Sequence, residues 1–158
     1  MTKYGKKSKQ RLSEGHLDIQ KIFNLFITRT SVDVSIIEVH RPVKLQQEYY
    51  KIGRTIELNR KPITKIDGIN KLGKHNLLPS EAVDFMIWHN DKEIRSEIAW
   101  DKSHLSYVAG MLQSCAFELY DKKEITHLLR WGANWDKDGV LFFDQDFDDA
   151  PHVELYKP

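Results

Sequence analysis

The chain has 158 residues, 41% of them hydrophobic, which predicts one domain, 1–158, built round a single core. Its 24 basic and 23 acidic residues nearly cancel, so overall charge gives no pull toward nucleic acid or a membrane surface. One cysteine, Cys115, rules out an internal disulfide framework and any multi-cysteine zinc cluster, leaving histidines and carboxylates as metal donors.

Residues 1–12, with Lys3, Lys6, Lys7, Lys9 and Arg11, read as a flexible basic start that lacks the apolar stretch of a signal peptide. No apolar run approaches the roughly 20 residues of a membrane span, so no membrane insertion is expected. Ile19, Ile22, Phe23, Phe26 and Ile27 fall at helical spacing and predict a core-facing helix over 18–27, with a start signal between Ser13 and Asp18. The Val- and Ile-rich run 32–39 reads as a strand that delivers His40 and Arg41 at its end. Pro42 suits the first turn of a second helix that stops near Gly53.

From Arg54 to Lys74 periodicity disappears and a long polar loop is expected. A strand over 82–88 carries Asp84 among apolar neighbours. Leu105, Val108, Ala109, Leu112, Ala116 and Leu119 mark the clearest amphipathic helix, opened by Asp101 or Ser103, with Cys115 as a buried small residue beside the stripe. A short strand at 128–131, a turn-rich acidic stretch over 132–149 and an alternating strand at 152–156 complete the chain. The expected class is α+β, a small, mostly antiparallel sheet flanked by helices.

Catalytic zinc takes three protein ligands from imidazoles and carboxylates and keeps one position open. Two clusters offer such groups, one from His75 to Asp84 and one from Asp148 through His152 to Glu154. A carboxylate amid Val83, Phe85 and Ile87 is costly to bury without a cation or several hydrogen bonds. On the solvated face of the strand it costs nothing, and alternation allows that equally. His75 and His152 are likewise open between ligand and ordinary histidine, while His40, His89, His104 and His127 have no partner at ligand spacing and read as structural or surface residues. Asn134, Asp136, Asp138 and Gly139 form the first half of a calcium-loop pattern. Its twelfth position is Gln145, flanked by Asp144 and Asp146, where glutamate is expected, and a solvated acidic turn is the alternative.

Several spaced motifs occur in one order: His75, then Pro79-Ser80-Glu81-Ala82-Val83-Asp84, then Trp131-Gly132 and Trp135, then Asp149-Ala150-Pro151-His152-Val153-Glu154-Leu155. This pattern resembles phage endolysins of the L-alanyl-D-glutamate and D-alanyl-D-alanine zinc peptidase family, whose fold is shared with hedgehog signalling domains. Ile37-Glu38-Val39-His40-Arg41-Pro42, followed by Gln46, Glu48, Tyr50 and Gly53-Arg54-Thr55, is similar to that family's arginine-bearing strand and helix, and His16-Leu17-Asp18-Ile19 to its opening.

The resemblance implies a hedgehog/D-Ala-D-Ala peptidase-like fold and one zinc ion on His75, Asp84 and His152. It also implies Asp149 as the catalytic carboxylate and Arg41 as the cation that holds substrate or stabilises the intermediate. Gln46, Arg54, Trp131 and Asn134 are expected to touch the wall peptide, although Trp131 and Trp135 are equally explained as packing beneath the site. The chain departs from the pattern at Pro42, where small residues are common, and at Asn134, where an acidic residue is common.

The implied activity is hydrolysis of the peptidoglycan stem peptide, at the L-alanyl-D-glutamate bond. The alternatives are a D-alanyl-D-alanine carboxypeptidase or dipeptidase, and a non-catalytic wall-binding domain of the same fold. A monomer with peptidoglycan as partner is expected, without nucleic acid. It would gather in the host cytoplasm until a separate membrane-permeabilising protein opens the way to the wall.

Overall fold

The computed structural model describes residues 2–142 and 147–158. In chain order its elements are α1 (Lys6–Leu12), α2 (Leu17–Arg29), β1 (Val34–Glu38), α3 (Val43–Lys51), a 3-10 turn at Lys74–Asn76, β2 (Ala82–Ile87), α4 (Lys92–Ile98), α5 (Lys102–Asp121), β3 (Leu128–Gly132) and β4 (Asp149–Tyr156). The four strands form one sheet in the order β1-β2-β4-β3 with every neighbouring pair antiparallel, the α+β architecture expected.

One face of this sheet is apolar because Val83, Phe85 and Ile87 of β2 and Val153 and Leu155 of β4 alternate inward and are buried. The helical stripes of Ile19, Ile22, Phe23 and Phe26 on α2 and Leu105, Val108, Leu112 and Ala116 on α5 cover it. Each such fully buried large side chain contributes about 1.5–3 kcal/mol, so this layer dominates the stabilisation. Asp101 opens α5 by accepting from His104 N at 2.9 Å. Cys115 is buried beside the stripe, as read from the sequence.

The basic start is a correction to that reading. Residues 6–12 form a helix that fastens the free edge of β1: Ser8 Oγ accepts from Ile36 N at 3.1 Å and Arg11 donates to Ile36 O at 2.5 Å. Tyr4 and Leu12 are buried with them, and Tyr4 donates its hydroxyl to Phe23 O at 2.9 Å. Side chains stand in for the ladder bonds of a missing fifth strand, which protects an otherwise open edge. Pro42 is the cap preceding α3 rather than its first residue, and β4 starts three residues before the expected strand, at Asp149.

The other face of the sheet carries a polar row. Glu38 of β1 pairs with Asp84 of β2, and Asp84 pairs with His152 of β4, so three ionisable side chains stand side by side across three strands. Two residues further along β4, Glu154 is opposite Arg130 of β3.

Candidate functional site

His75 is brought to this row by the turn at Lys74–Asn76, which is clamped against the segment after β1. Arg41 N donates to His75 O at 2.8 Å, Asn76 Nδ2 donates to Arg41 O at 2.9 Å, and His75 Nδ1 donates to Val39 O at 2.7 Å. The buried Ser80 hydroxyl donates to the same Val39 oxygen at 2.7 Å. With Nδ1 committed to a carbonyl, the neutral ring of His75 turns its lone pair at Nε2 toward the sheet.

That lone pair meets two others. His75 Nε2 lies 3.1 Å from Asp84 Oδ1 and 3.2 Å from His152 Nδ1, and His152 Nδ1 lies 2.8 Å from Asp84 Oδ1. The far nitrogen of His152, Nε2, is 3.1 Å from Glu154 Oε2, and the second oxygen of Glu154 pairs with Arg130. Both imidazoles therefore have their outer nitrogens bound and their inner nitrogens aimed at one point. Donors about 2.0–2.1 Å from a tetrahedral ion stand about 3.3 Å apart, close to the spacing of this triangle. An outer carbonyl on one histidine and an outer carboxylate on the other are the supports that metal-ligating histidines take. The donor set fits a zinc-class ion.

Without a metal, a proton satisfies the same triangle. Burial opposes a charged His152, but its hydrogen bonds to Asp84 and Glu154 and the charges of Asp84 and Asp149 outweigh burial and push its pKa up to about 10. Asp84 moves down despite its burial, held by the hydrogen bond from His152 and by its close contact with His75. Glu154, also opposed by burial, is pulled to about 2 by His152 and Arg130. A divalent cation bound here would take the place of that proton among the same partners.

Asp149 opens β4 opposite Gly132, at a register irregularity in the β3–β4 ladder. A Cβ on Gly132 would stand 2.3 Å from Asp149 O and 3.0 Å from Asp149 Cβ, so only glycine permits this approach. Burial raises the Asp149 carboxyl above the usual carboxylate range and Asp84 adds to the rise, while His152, His75 and Arg41 draw it back. The carboxyl thus sits in the field of all four groups of the site.

Arg41 is held by Glu38, to which its Nε donates at 2.7 Å, and by Gln46 Oε1 at 2.9 Å from Nη1; Nη2 is 3.5 Å from Asp84 Oδ2. Its guanidinium lies 5.0 Å from the centre of the Tyr49 ring. The structure thus brings Arg41, His75, Asp84, Asp149 and His152 together.

The four expected peptide contacts differ in their surroundings. Gln46 is 1% exposed and spans from Arg41 to the long loop, donating to Thr64 Oγ1 at 3.2 Å and Ile66 O at 2.8 Å. Arg54 fastens that same loop, donating to Tyr50 O at 2.8 Å and Thr64 O at 2.9 Å while stacking on Tyr50. Trp131 is 3% exposed and donates to Ala150 O at 2.7 Å, which makes it packing beneath the site. Asn134 lies in the turn after β3, and its buried Oδ1 meets no donor among the described residues. Gln46 and Trp131 thus pack around the site, and Arg54 holds the long loop.

Asp136 and Asp138 of the calcium pattern turn on themselves: Asp136 Oδ1 accepts from Asp138 N at 3.4 Å and Asp138 Oδ1 from Val140 N at 2.8 Å. They gather with no third histidine, cysteine or carboxylate at ligand spacing among the described residues. Asp144, Gln145 and Asp146 lie outside the described residues.

Sequence reading assigned no role to Glu154, Glu38 or Gly132. Glu154 had a legible signal, since a residue two positions from His152 on a strand shares its face. Glu38 had none, because only the sheet register sets it beside Asp84. Trp135, whose ring lies 5.3 Å from that of His152, forms a wall of the site.

No curated protein matches the chain. The crystal structure of the Serratia marcescens L-Ala D-Glu endopeptidase ChiX is similar to it over 99% of this chain and 90% of that one, with a TM-score of 0.66 and 18% identity, which shows a shared fold. The model of the family described as phage L-alanyl-D-glutamate peptidase matches residues 1–156. With that match running through nearly every residue, the chain belongs to the phage L-alanyl-D-glutamate peptidase family and is a peptidase of peptidoglycan.

Proposed function

We propose that the chain is a zinc endopeptidase that cleaves the L-alanyl-D-glutamate bond of the peptidoglycan stem, with His75, Asp84 and His152 as ligands. The observation that carries this reading is the triangle of His75 Nε2, Asp84 Oδ1 and His152 Nδ1, with sides of 3.1, 3.2 and 2.8 Å and both outer imidazole nitrogens already occupied. Zinc held there supplies a Lewis acid that polarises the scissile carbonyl and lowers the pKa of water toward about 7.

The chain's own groups carry the remaining chemistry. Ionised Asp149 takes a proton from the attacking water as its oxygen bonds to the carbonyl carbon. It then gives that proton to the nitrogen of D-glutamate as the C–N bond breaks, so the products are a new carboxyl and a new amine. Arg41, fixed by Glu38 and Gln46, places a permanent positive charge beside the developing oxyanion. Trp135 shields one flank of His152 from water.

The same chemistry would serve a D-alanyl-D-alanine carboxypeptidase, but the family match favours the L-alanyl-D-glutamate bond. The chain works as one catalytic domain and reaches the wall from the host cytoplasm once a separate protein has permeabilised the membrane. Digestion of purified peptidoglycan, with new amino termini identified by mass, tests the assignment. N-terminal D-glutamate is the expected product; free D-alanine would overturn it.

A further inference from the structure

A second cluster of the same composition stands apart from this site. His16 precedes α2, Asp18 lies in its first turn, and His127 precedes β3; each brings one donor atom to within 4.8 Å of the others. The arrangement repeats the first. His127 Nδ1 is 2.8 Å from Asp18 Oδ2, as His152 Nδ1 is 2.8 Å from Asp84 Oδ1. The rings of His16 and His127 are 5.0 Å apart at 73°, those of His75 and His152 5.1 Å apart at 65°. The two clusters share no residue.

We propose that His16, Asp18 and His127 form a second site for a divalent transition metal of the zinc, nickel or copper class, joining the start of α2 to the start of β3. Two imidazoles with one carboxylate select such ions over magnesium and calcium, which favour oxygen shells. Asp18 is 6% exposed, and its Oδ2 is oriented by Thr126 N at 3.0 Å and His127 N at 3.2 Å. A carboxylate positioned by backbone donors in this way is the support that metal sites use. The Oδ1 atom takes none of these bonds.

The side chain of His127 is 12% exposed and that of His16 is 29% exposed, so the cluster opens to solvent on the His16 side and an ion has a way in. On binding, His127 changes tautomer through solvent, its hydrogen passing from Nδ1 to Nε2, so that the Nδ1 lone pair is free for the metal. His16 Nδ1, 3.9 Å from Asp18 Oδ2, exchanges the bond it accepts from Asp18 N at 3.1 Å for the metal. Both adjustments are confined to the imidazoles and leave the Asp18 contacts to the backbone of residues 126 and 127 in place. The competing account is a metal-free clamp in which Asp18 does no more than cap those residues.

Equilibrium dialysis of the whole chain against zinc, with bound metal counted, separates the two. Two zinc ions per chain are expected, falling to one in His16→Gln/His127→Gln and to one in His75→Ala/His152→Ala. The glutamine variants retain the Asp18 backbone bonds, and circular dichroism with cobalt absorption verifies that each variant is folded and still loads its other site. A zinc content that is the same in the wild-type chain and in His16→Gln/His127→Gln, whether one or two per chain, overturns the proposal. A wild-type chain that binds one zinc and loses it in that variant upholds the proposal and contradicts the first site instead.

Discussion

Glu154 Oε2 receives the Nε2–H of His152 at 3.1 Å, while its other oxygen pairs with Arg130 across the β3–β4 ladder. The histidine is thereby fixed in the tautomer that leaves Nδ1 facing Asp84. Glu154→Gln weakens the acceptor and loses the pairing with Arg130, so zinc affinity is expected to fall about 10–100-fold. Competition with a chromophoric chelator measures it. Unchanged affinity would show that Glu154 plays no part in orienting the ligand.

Gly132→Ala is expected to move the proposed catalytic carboxylate, Asp149, without touching a proposed metal donor. Its Cβ would stand 2.3 Å from Asp149 O, so the start of β4 has to shift. Misplacement by about 1 Å costs about 100-fold in rate, which is the expected fall in kcat, with zinc content unchanged. Retained turnover would mean that Asp149 needs no such placement.

Asp149→Asn and His152→Ala separate catalyst from ligand. The first is expected to lower kcat by about 10²–10⁴ with metal still bound, since it removes one proton-transferring group. The second is expected to lose metal and activity together. Metal analysis beside single-turnover rates reads both, and an active Asp149→Asn enzyme would remove Asp149 from the mechanism.

Burial and Asp84 raise the Asp149 carboxyl, whereas Arg41 lowers it. In the proposed mechanism the ionised form accepts the proton, so activity is expected to disappear as pH falls through the pKa of this carboxyl. Removing a positive neighbour disfavours the ionised form, and the acidic limb of kcat/KM is expected to move to higher pH in Arg41→Gln. A pH–rate profile of both zinc-loaded enzymes measures the displacement; movement to lower pH would contradict the electrostatic assignment.

Leu12 is buried in the core although it belongs to the basic start. Leu12→Ala is expected to destabilise the fold by about 2–5 kcal/mol, read from the urea midpoint. A flexible start would show no change.

The stripes on α2 and α5 and the alternation in β2 were legible because helical and strand periods mark faces that must be buried. Helix α4 has no legible signal in its interior because none of its residues is buried, so it has no apolar stripe, and its start rests on the Asp91 cap alone. Helix α1 was missed because its role depends on the exposed edge of β1, which no local pattern reveals. The spaced motifs pointed to Asp84 and His152, yet spacing alone left Asp84 open between solvent and site. The strand register resolves that choice by pairing Asp84 with His152. The sequence does not show which way Gln46 and Arg54 face, because polar side chains near a site carry no sign of their direction; in the structure both bind the long loop's backbone, and Gln46 also holds Arg41. His127 looked unpartnered because Asp18 lies 109 residues away in sequence.

Metal dependence tests the central claim most directly. The protein is stripped with chelator, assayed on purified peptidoglycan, and then titrated with zinc, alongside His75→Ala. Cleavage is expected to vanish on stripping, to return with zinc in the wild-type chain, and to stay absent in His75→Ala. Full activity in the stripped enzyme, or restoration by zinc in His75→Ala to the wild-type level, would contradict a mechanism built on His75, Asp84 and His152.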